Sequence, residues 1–179
     1  MANLDSLQHK LGVTFSDPAL LQQALVHRSY LNENPDFPLP SNERLEFLGD
    51  SLLGFVIAER LYREFPDLSE GEMTKLRAAV VRKETLARLA GALKLGDHLY
   101  LGRGEETCGG RARQSTLGRA LEAVIGAILV DQGFAAARDF LLGLFHGEIQ
   151  RASEKRLIED HKSRLQELVQ ARRRLAPVY

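Results

Sequence analysis

The sequence predicts an all-α fold, and three observations carry that expectation. Apolar residues recur at helical rather than alternating spacing. β-Branched residues are sparse, so strand signals are nearly absent. Helix-start chemistry is explicit at Asp17-Pro18 and at Ser69-Glu70-Gly71-Glu72. In order along the chain, Leu4 to Leu11 reads as a short helix. Asp17 as N-cap and Pro18 at the first helical position open a second, through about His27. Residues 32–40 carry Pro35, Pro38 and Pro40 and are read as a loop. A long helix follows, opening within Ser41-Asn-Glu-Arg-Leu-Glu-Phe-Leu-Gly-Asp-Ser51 and running to about Glu64. Ser69 and Glu72 have capping-box spacing for a helix through about Val81. Another helix spans roughly Glu84 to Leu93, and residues 102–113 form a Gly- and Arg-rich loop. Gln114 to Val130 is strongly helical and ends at Gly133; further helices are expected from Phe134 to about Ala152 and from His161 to Arg173.

The totals set limits. A chain of 179 residues suits one domain plus an appendage. Lys+Arg and Asp+Glu are each 24, so bulk charge alone predicts no polyanion partner. Cys108 is the only cysteine, which excludes an intrachain disulfide and suits a reducing compartment. The N-terminus lacks the apolar run of a signal peptide, and no stretch is read as a membrane span. The expectation is a cytoplasmic protein with no membrane partner.

The chemistry concentrates on the long helix. Glu43, Glu46 and Asp50 stand at i, i+3 and i+7 and share one face. Leu45, Leu48, Leu52, Phe55 and Val56 form a different stripe, read as the core side. A solvated acidic face would interleave Lys or Arg at i,i+4; this one is continued by Gly54, Ile57 and Leu61, with Phe47 beside it. Like charges on a partly apolar face call for a cation, and a divalent metal held by oxygen ligands is the simple candidate. A second acid lies in the Gln114–Val130 helix. Leu117, Leu121, Val124, Ile125, Ile128, Leu129 and Val130 encircle that helix, which predicts burial, yet Glu122 sits in its middle. Gly118 and Gly126 on the face of Glu122 would admit a second helix at close range. Two readings stand: a salt bridge to a core arginine, or convergence with Glu46 and Asp50 around a metal.

Asn42-Glu-Arg-Leu-Glu-Phe-Leu-Gly-Asp50 resembles the signature of ribonuclease III, the endonuclease family that cuts double-stranded RNA. Ala24-Leu-Val-His-Arg-Ser-Tyr30, Leu76-Arg-Ala-Ala-Val80, Leu101-Gly-Arg-Gly-Glu105 and Glu122-Ala-Val-Ile-Gly-Ala127 resemble it in the same order, over about residues 4–153. The resemblance implies a helical, homodimeric endonuclease domain over residues 1–155. It puts Glu46, Asp50 and Glu122 at acidic positions of a Mg²⁺ site that also takes Mn²⁺, with Asp50 and Glu122 as catalytic acids and Glu43 positioning substrate or the dimer. It implies cleavage of double-stranded RNA to 5′-phosphate and 3′-hydroxyl ends, in processing of ribosomal and other RNA precursors. Phe47 then docks into the partner of a two-fold dimer; the residues alone leave open a second layer of the same domain.

One position departs from the family pattern. An Asp is expected three residues before Glu122, and Arg119 stands there. At about 5 Å and an effective dielectric near 20, Arg⁺ and Mg²⁺ repel by roughly 6 kcal/mol as an upper bound. The guanidinium could take the metal's place on Glu46 or Asp50, or swing outward. The alternative reading is therefore a non-cleaving or weakly active double-stranded-RNA-binding dimer.

The remaining features are weaker. Residues 102–113 lack the Lys-Ser/Thr of a phosphate loop; Arg103, Arg111 and Arg113 are either connector residues or phosphate contacts. His27 and His98 are isolated and are read as structural or surface residues, not ligands. From Asp160 to Gln170 the chain resembles the first helix of a double-stranded-RNA-binding domain, so residues 156–179 are expected to be a linker and its truncated start.

Overall fold

The computed structural model describes residues 4–174, with side chains described at residues 4–154 and 156. The helices are α1 (Leu4–Leu11), α2 (Pro18–Ala24), α3 (Arg28–Glu33), α4 (Glu43–Glu64), α5 (Glu70–Val80), α6 (Lys83–Ala92), α7 (Arg103–Thr107) and α8 (Gln114–Arg174). Short 3₁₀ turns cover Leu95–His98 and Gly110–Ala112. Among the described residues there is no strand, only one isolated parallel bridge between Val26 and Tyr100. The all-α expectation holds.

The bridge explains the first departure from the sequence reading. The second helix was expected to run to His27 but stops at Ala24. Tyr100 N–H donates to the Leu25 carbonyl at 2.9 Å and Tyr100 O accepts from His27 N–H at 3.1 Å, which holds the chain extended at Val26. His27 then caps a helix the sequence did not announce, α3, its Nδ1 accepting from Ser29 N–H. Asn42 ties this corner to the start of α4: its backbone N–H donates to Val26 O at 2.9 Å, and its side chain donates to Ala24 O at 3.2 Å. The capping box opening α5 is present as expected, Ser69 and Glu72 satisfying each other's orphan N–H groups.

Helix α4 is a central element, flanked by α5 and α8, with α8 making the larger contact. Leu45, Leu52, Leu53, Val56, Ile57 and Leu61 are buried. Two expectations are corrected here. Phe55, placed on the core stripe, is 58% exposed. Ile57 and Leu61, read as continuing the acidic face, are core residues. One arc of α4 thus carries the acids Glu43, Glu46 and Asp50 in its first half and the core side chains Ile57 and Leu61 in its second.

Helix α8 threads the core. Leu117, Leu121, Val124, Ile125 and Ile128 are buried together with Ala120, Ala123 and Ala127, while Val130 emerges. The helical backbone breaks once, at Gly133, whose φ of 81° is a conformation glycine adopts freely. Beyond it Ala137, Leu141, Phe145 and Ile149 repeat every four residues on one buried face. The two further helices expected from residues 134 and 161 are one continuous helix. Within α8, Gln114–Glu154 is long and apolar enough to cross a membrane, with an 18-residue window of mean hydropathy 1.5, although no such stretch was expected. Its burial by the other helices accounts for that composition.

The 102–113 segment is not a plain loop but folds as α7 and a 3₁₀ turn. Arg111 donates to Gly96 O at 2.8 Å and Leu99 O at 2.9 Å and pairs with Glu106; Arg113 pairs with Glu105. These two guanidinium groups are engaged in holding the segment together, which favours their connector reading over phosphate contact. Beyond Glu154, the Arg156 side chain meets Glu72 at 2.5 Å. The expected start of a second domain falls on residues whose side chains, and for 175–179 the backbone too, lie outside those described.

Candidate active site

Two glycines set the geometry. A β-carbon on Gly49 of α4 would overlap the Glu122 carbonyl of α8, and one on Gly126 of α8 would overlap the Leu45 carbonyl of α4. Backbone therefore crosses backbone at Glu122, an approach only glycine permits. The Gly126 part of this was anticipated; Gly49 was missed. Gly118 does something else: its face meets the Leu86 β-carbon of α6 at an ordinary 3.5 Å.

The crossing brings acids from two helices into one field. Burial raises the Glu122 carboxyl to about 7, with the charges of Asp50 and then Glu46 adding to the rise and Arg119 opposing it. Burial also raises Glu46; Arg119 works against this, and Glu43 and Asp50 add to it. Asp50 is exposed. No ion pair joins Glu122 to any described residue, so the core-arginine reading of this acid finds no support.

Arg119, one turn ahead of Glu122 on α8, reaches across to α4, its Nε 3.4 Å from Glu46 Oε1. Its side chain is 61% exposed, against 23% for Glu46. Glu43 is held differently: Ser41 Oγ donates to it at 2.9 Å and Arg28 lies 3.6 Å away. A narrow cleft of about 20 Å³ between these groups is lined by His27, Arg28, Glu43, Glu46, Thr116 and Arg119. Sequence reasoning missed Arg28 and Thr116. Arg28 lay inside the quoted 24–30 stretch, but nothing local showed that the Val26 bridge would turn it toward Glu43.

As donors, Glu46, Asp50 and Glu122 suit a hard divalent cation: all are carboxylates, they repel one another, and Glu122 makes no ion pair with a described residue. Among the described residues no three or more His, Cys, Asp or Glu side chains are placed so that they could hold a metal ion together. Glu46 faces Arg119 instead. The donor set fits a metal in type and charge, but not in its present arrangement.

Phe47 is 75% exposed, so no second layer of the described chain covers it. It starts an apolar stripe on α4 that continues through Phe55 and Tyr62, itself 72% exposed, with Phe134 of α8 beside Phe55. His27 serves as a helix cap and His98 is buried, in keeping with structural roles.

Residues 17–148 match the family described as ribonuclease-III-like. Ribonuclease 3 of Dehalococcoides mccartyi (strain CBDB1) is 48% identical over 179 residues, covering 100% of this chain and 76% of that protein. Ribonuclease 3 of Roseiflexus sp. (strain RS-1) is 49% identical over 179 residues, covering 99% and 76%. Among solved structures, the nuclease domain of ribonuclease III from Campylobacter jejuni, described with flexibility in a region involved in dimer formation, superposes with a TM-score of 0.75. It is 40% identical and is covered to 97%, with 81% of this chain included. The family match over residues 17–148, the shared helical fold and identity near one half place the acidic crossing in a known lineage: the chain belongs to the ribonuclease III family.

Proposed function

We propose that this protein is an endoribonuclease that cleaves double-stranded RNA by metal-dependent hydrolysis, leaving 5′-phosphate and 3′-hydroxyl ends. The observation that carries the reading is the convergence of Glu46 and Asp50 from α4 with Glu122 from α8, a half-buried acid whose carboxyl the other two push upward. Glu46, Asp50 and Glu122 would hold Mg²⁺, or Mn²⁺ in its place. Such an ion supplies charge neutralisation at the phosphate and a water of lowered pKa. The chain's own residues do the rest. Asp50 and Glu122 accept a proton or hold a water at the helix crossing, and Glu43, steadied by Ser41, stands at the rim where substrate enters. Duplex RNA offers phosphates and 2′-hydroxyls across a wide minor groove, so selection follows shape more than sequence. Ribosomal and other RNA precursors in the cytoplasm are the expected targets.

The active unit in this reading is a homodimer joined along Phe47, Phe55 and Tyr62. A cleft of about 320 Å³ beside Tyr62, bordered by Leu61, Met73 and Arg77, is a suitable socket for the partner's Phe47 ring. Phe47→Asp is expected to weaken the dimer at least about 30-fold, the effect of losing an aromatic anchor at the centre of an interface. Sedimentation equilibrium reads this directly; an unchanged dimer would move the interface elsewhere.

Incubation of a long RNA duplex with the protein and Mg²⁺ or Mn²⁺ tests the function. Short duplex products with 5′-phosphate ends are expected. A second reading, a duplex-RNA binder with little or no cleavage, is motivated by the Arg119–Glu46 pair. It predicts retained binding without cleavage, and cleavage restored by Arg119→Asp.

A further inference from the structure

Arg119 has two sides. One faces Glu46 across the helix crossing, at 3.4 Å; the other, with 61% of the side chain exposed, faces solvent in the cleft that also holds Arg28 and Thr116. Arg28 repeats the arrangement on the outer wall, 3.6 Å from Glu43 and 73% exposed. Each arginine thus neutralises an acid of α4 while leaving guanidinium N–H groups open to an incoming anion.

Glu46 cannot serve a guanidinium and a divalent cation through the same oxygen, and the two cations repel at that range. The ion pair is partly exposed, so releasing it costs little. A phosphate diester presents two oxygens in the geometry that a guanidinium fork matches best, and it carries the charge needed to compensate the exchange.

We infer that Arg119 is a removable internal counter-ion: a phosphate of bound duplex RNA draws it off Glu46, so the carboxylates close on a divalent cation with RNA present and hold it weakly without. This rests on the metal reading of Glu46, Asp50 and Glu122 given above and adds a regulatory step to it. Because coupling is reciprocal, metal must tighten RNA by the factor by which RNA tightens metal. A guanidinium that changes partner contributes to that factor beyond whatever phosphate ligation gives.

The test is Mn²⁺ binding, followed by the electron paramagnetic resonance signal of free Mn²⁺, on the full chain with and without a short product-like RNA duplex bearing 5′-phosphates. Arg119→Gln is expected to bind Mn²⁺ about tenfold more tightly than the parent in the absence of RNA, and to gain correspondingly less when RNA is added. Arg119→Lys, which keeps the charge, should stay near the parent. Equal Mn²⁺ affinity of parent and Arg119→Gln without RNA overturns the counter-ion, as does an equal RNA-driven gain in both. Asp50→Asn separates this failure from that of the underlying site: if it binds Mn²⁺ as the parent does, the carboxylates were wrongly assigned and the counter-ion falls with them.

Discussion

Replacing Glu122 with glutamine is expected to lower duplex-RNA cleavage by about 10³-fold or more, the scale seen when a group that meets transition-state charge is removed. Circular dichroism should show the fold unchanged, because glutamine fills the same volume. The same substitution is expected to stabilise the metal-free protein at pH 8. Burial and the neighbouring Asp50 and Glu46 raise the Glu122 carboxyl from 4.5 to about 7 in the folded chain. Between those values the folded state keeps a proton that the unfolded state has released. Stability of the parent therefore falls as pH rises from about 5 to about 7 and levels off above that. At about 1.4 kcal/mol per pH unit, the gap sets a ceiling of about 3 kcal/mol. Urea unfolding of parent and variant at pH 5 and pH 8 measures it: the parent should lose stability over this range and Glu122→Gln should lose much less. Equal slopes would mean that Glu122 is solvated and paired in a way the structure excludes.

The second large effect is steric. Gly49→Ala or Gly126→Ala is expected to destabilise the protein by about 3 kcal/mol, because the added methyl meets a backbone carbonyl of the facing helix that cannot turn aside. Separation of α4 from α8 also draws Asp50 away from Glu122, so cleavage should fall more than the loss of folded protein explains. Gly118→Ala is the control. Its methyl would lie 3.5 Å from the Leu86 β-carbon, and alanine favours a helix by about 1 kcal/mol over glycine. It should be neutral or stabilising, as read by denaturant midpoint. If Gly49→Ala is as stable as Gly118→Ala, the close helix crossing is not what holds the site together.

The helical class, the spans of α1, α4 and α5 and the burial of most of the Gln114–Val130 stretch, Val130 excepted, were legible because each rests on local signals: caps, prolines and a 3.6-residue period. The acids were legible for the same reason, since i, i+3, i+7 spacing fixes a shared face whatever packs against it. The short helix α3 and the break at Val26 were not, because they depend on Tyr100, more than seventy residues away, supplying both bridge hydrogen bonds. Phe55, Ile57 and Leu61 were misplaced because periodicity tells which residues share a face of the 22-residue helix but not which face its neighbours cover at each turn. Arg119 could be seen to depart from the family pattern, yet its choice of Glu46 is set by side-chain reach across a crossing that only Gly49 and Gly126 allow. Sequence position gave its charge; the fold gave its partner.

A crystal grown with Mn²⁺ and a product-like RNA duplex, examined by anomalous scattering at the manganese edge, tests the central claim most directly. The account predicts a peak between α4 and α8 with Asp50 and Glu122 carboxylate oxygens in its coordination shell and Arg119 turned toward a phosphate. A map without manganese between those helices, or with Glu122 directed into apolar packing away from Asp50, would contradict it.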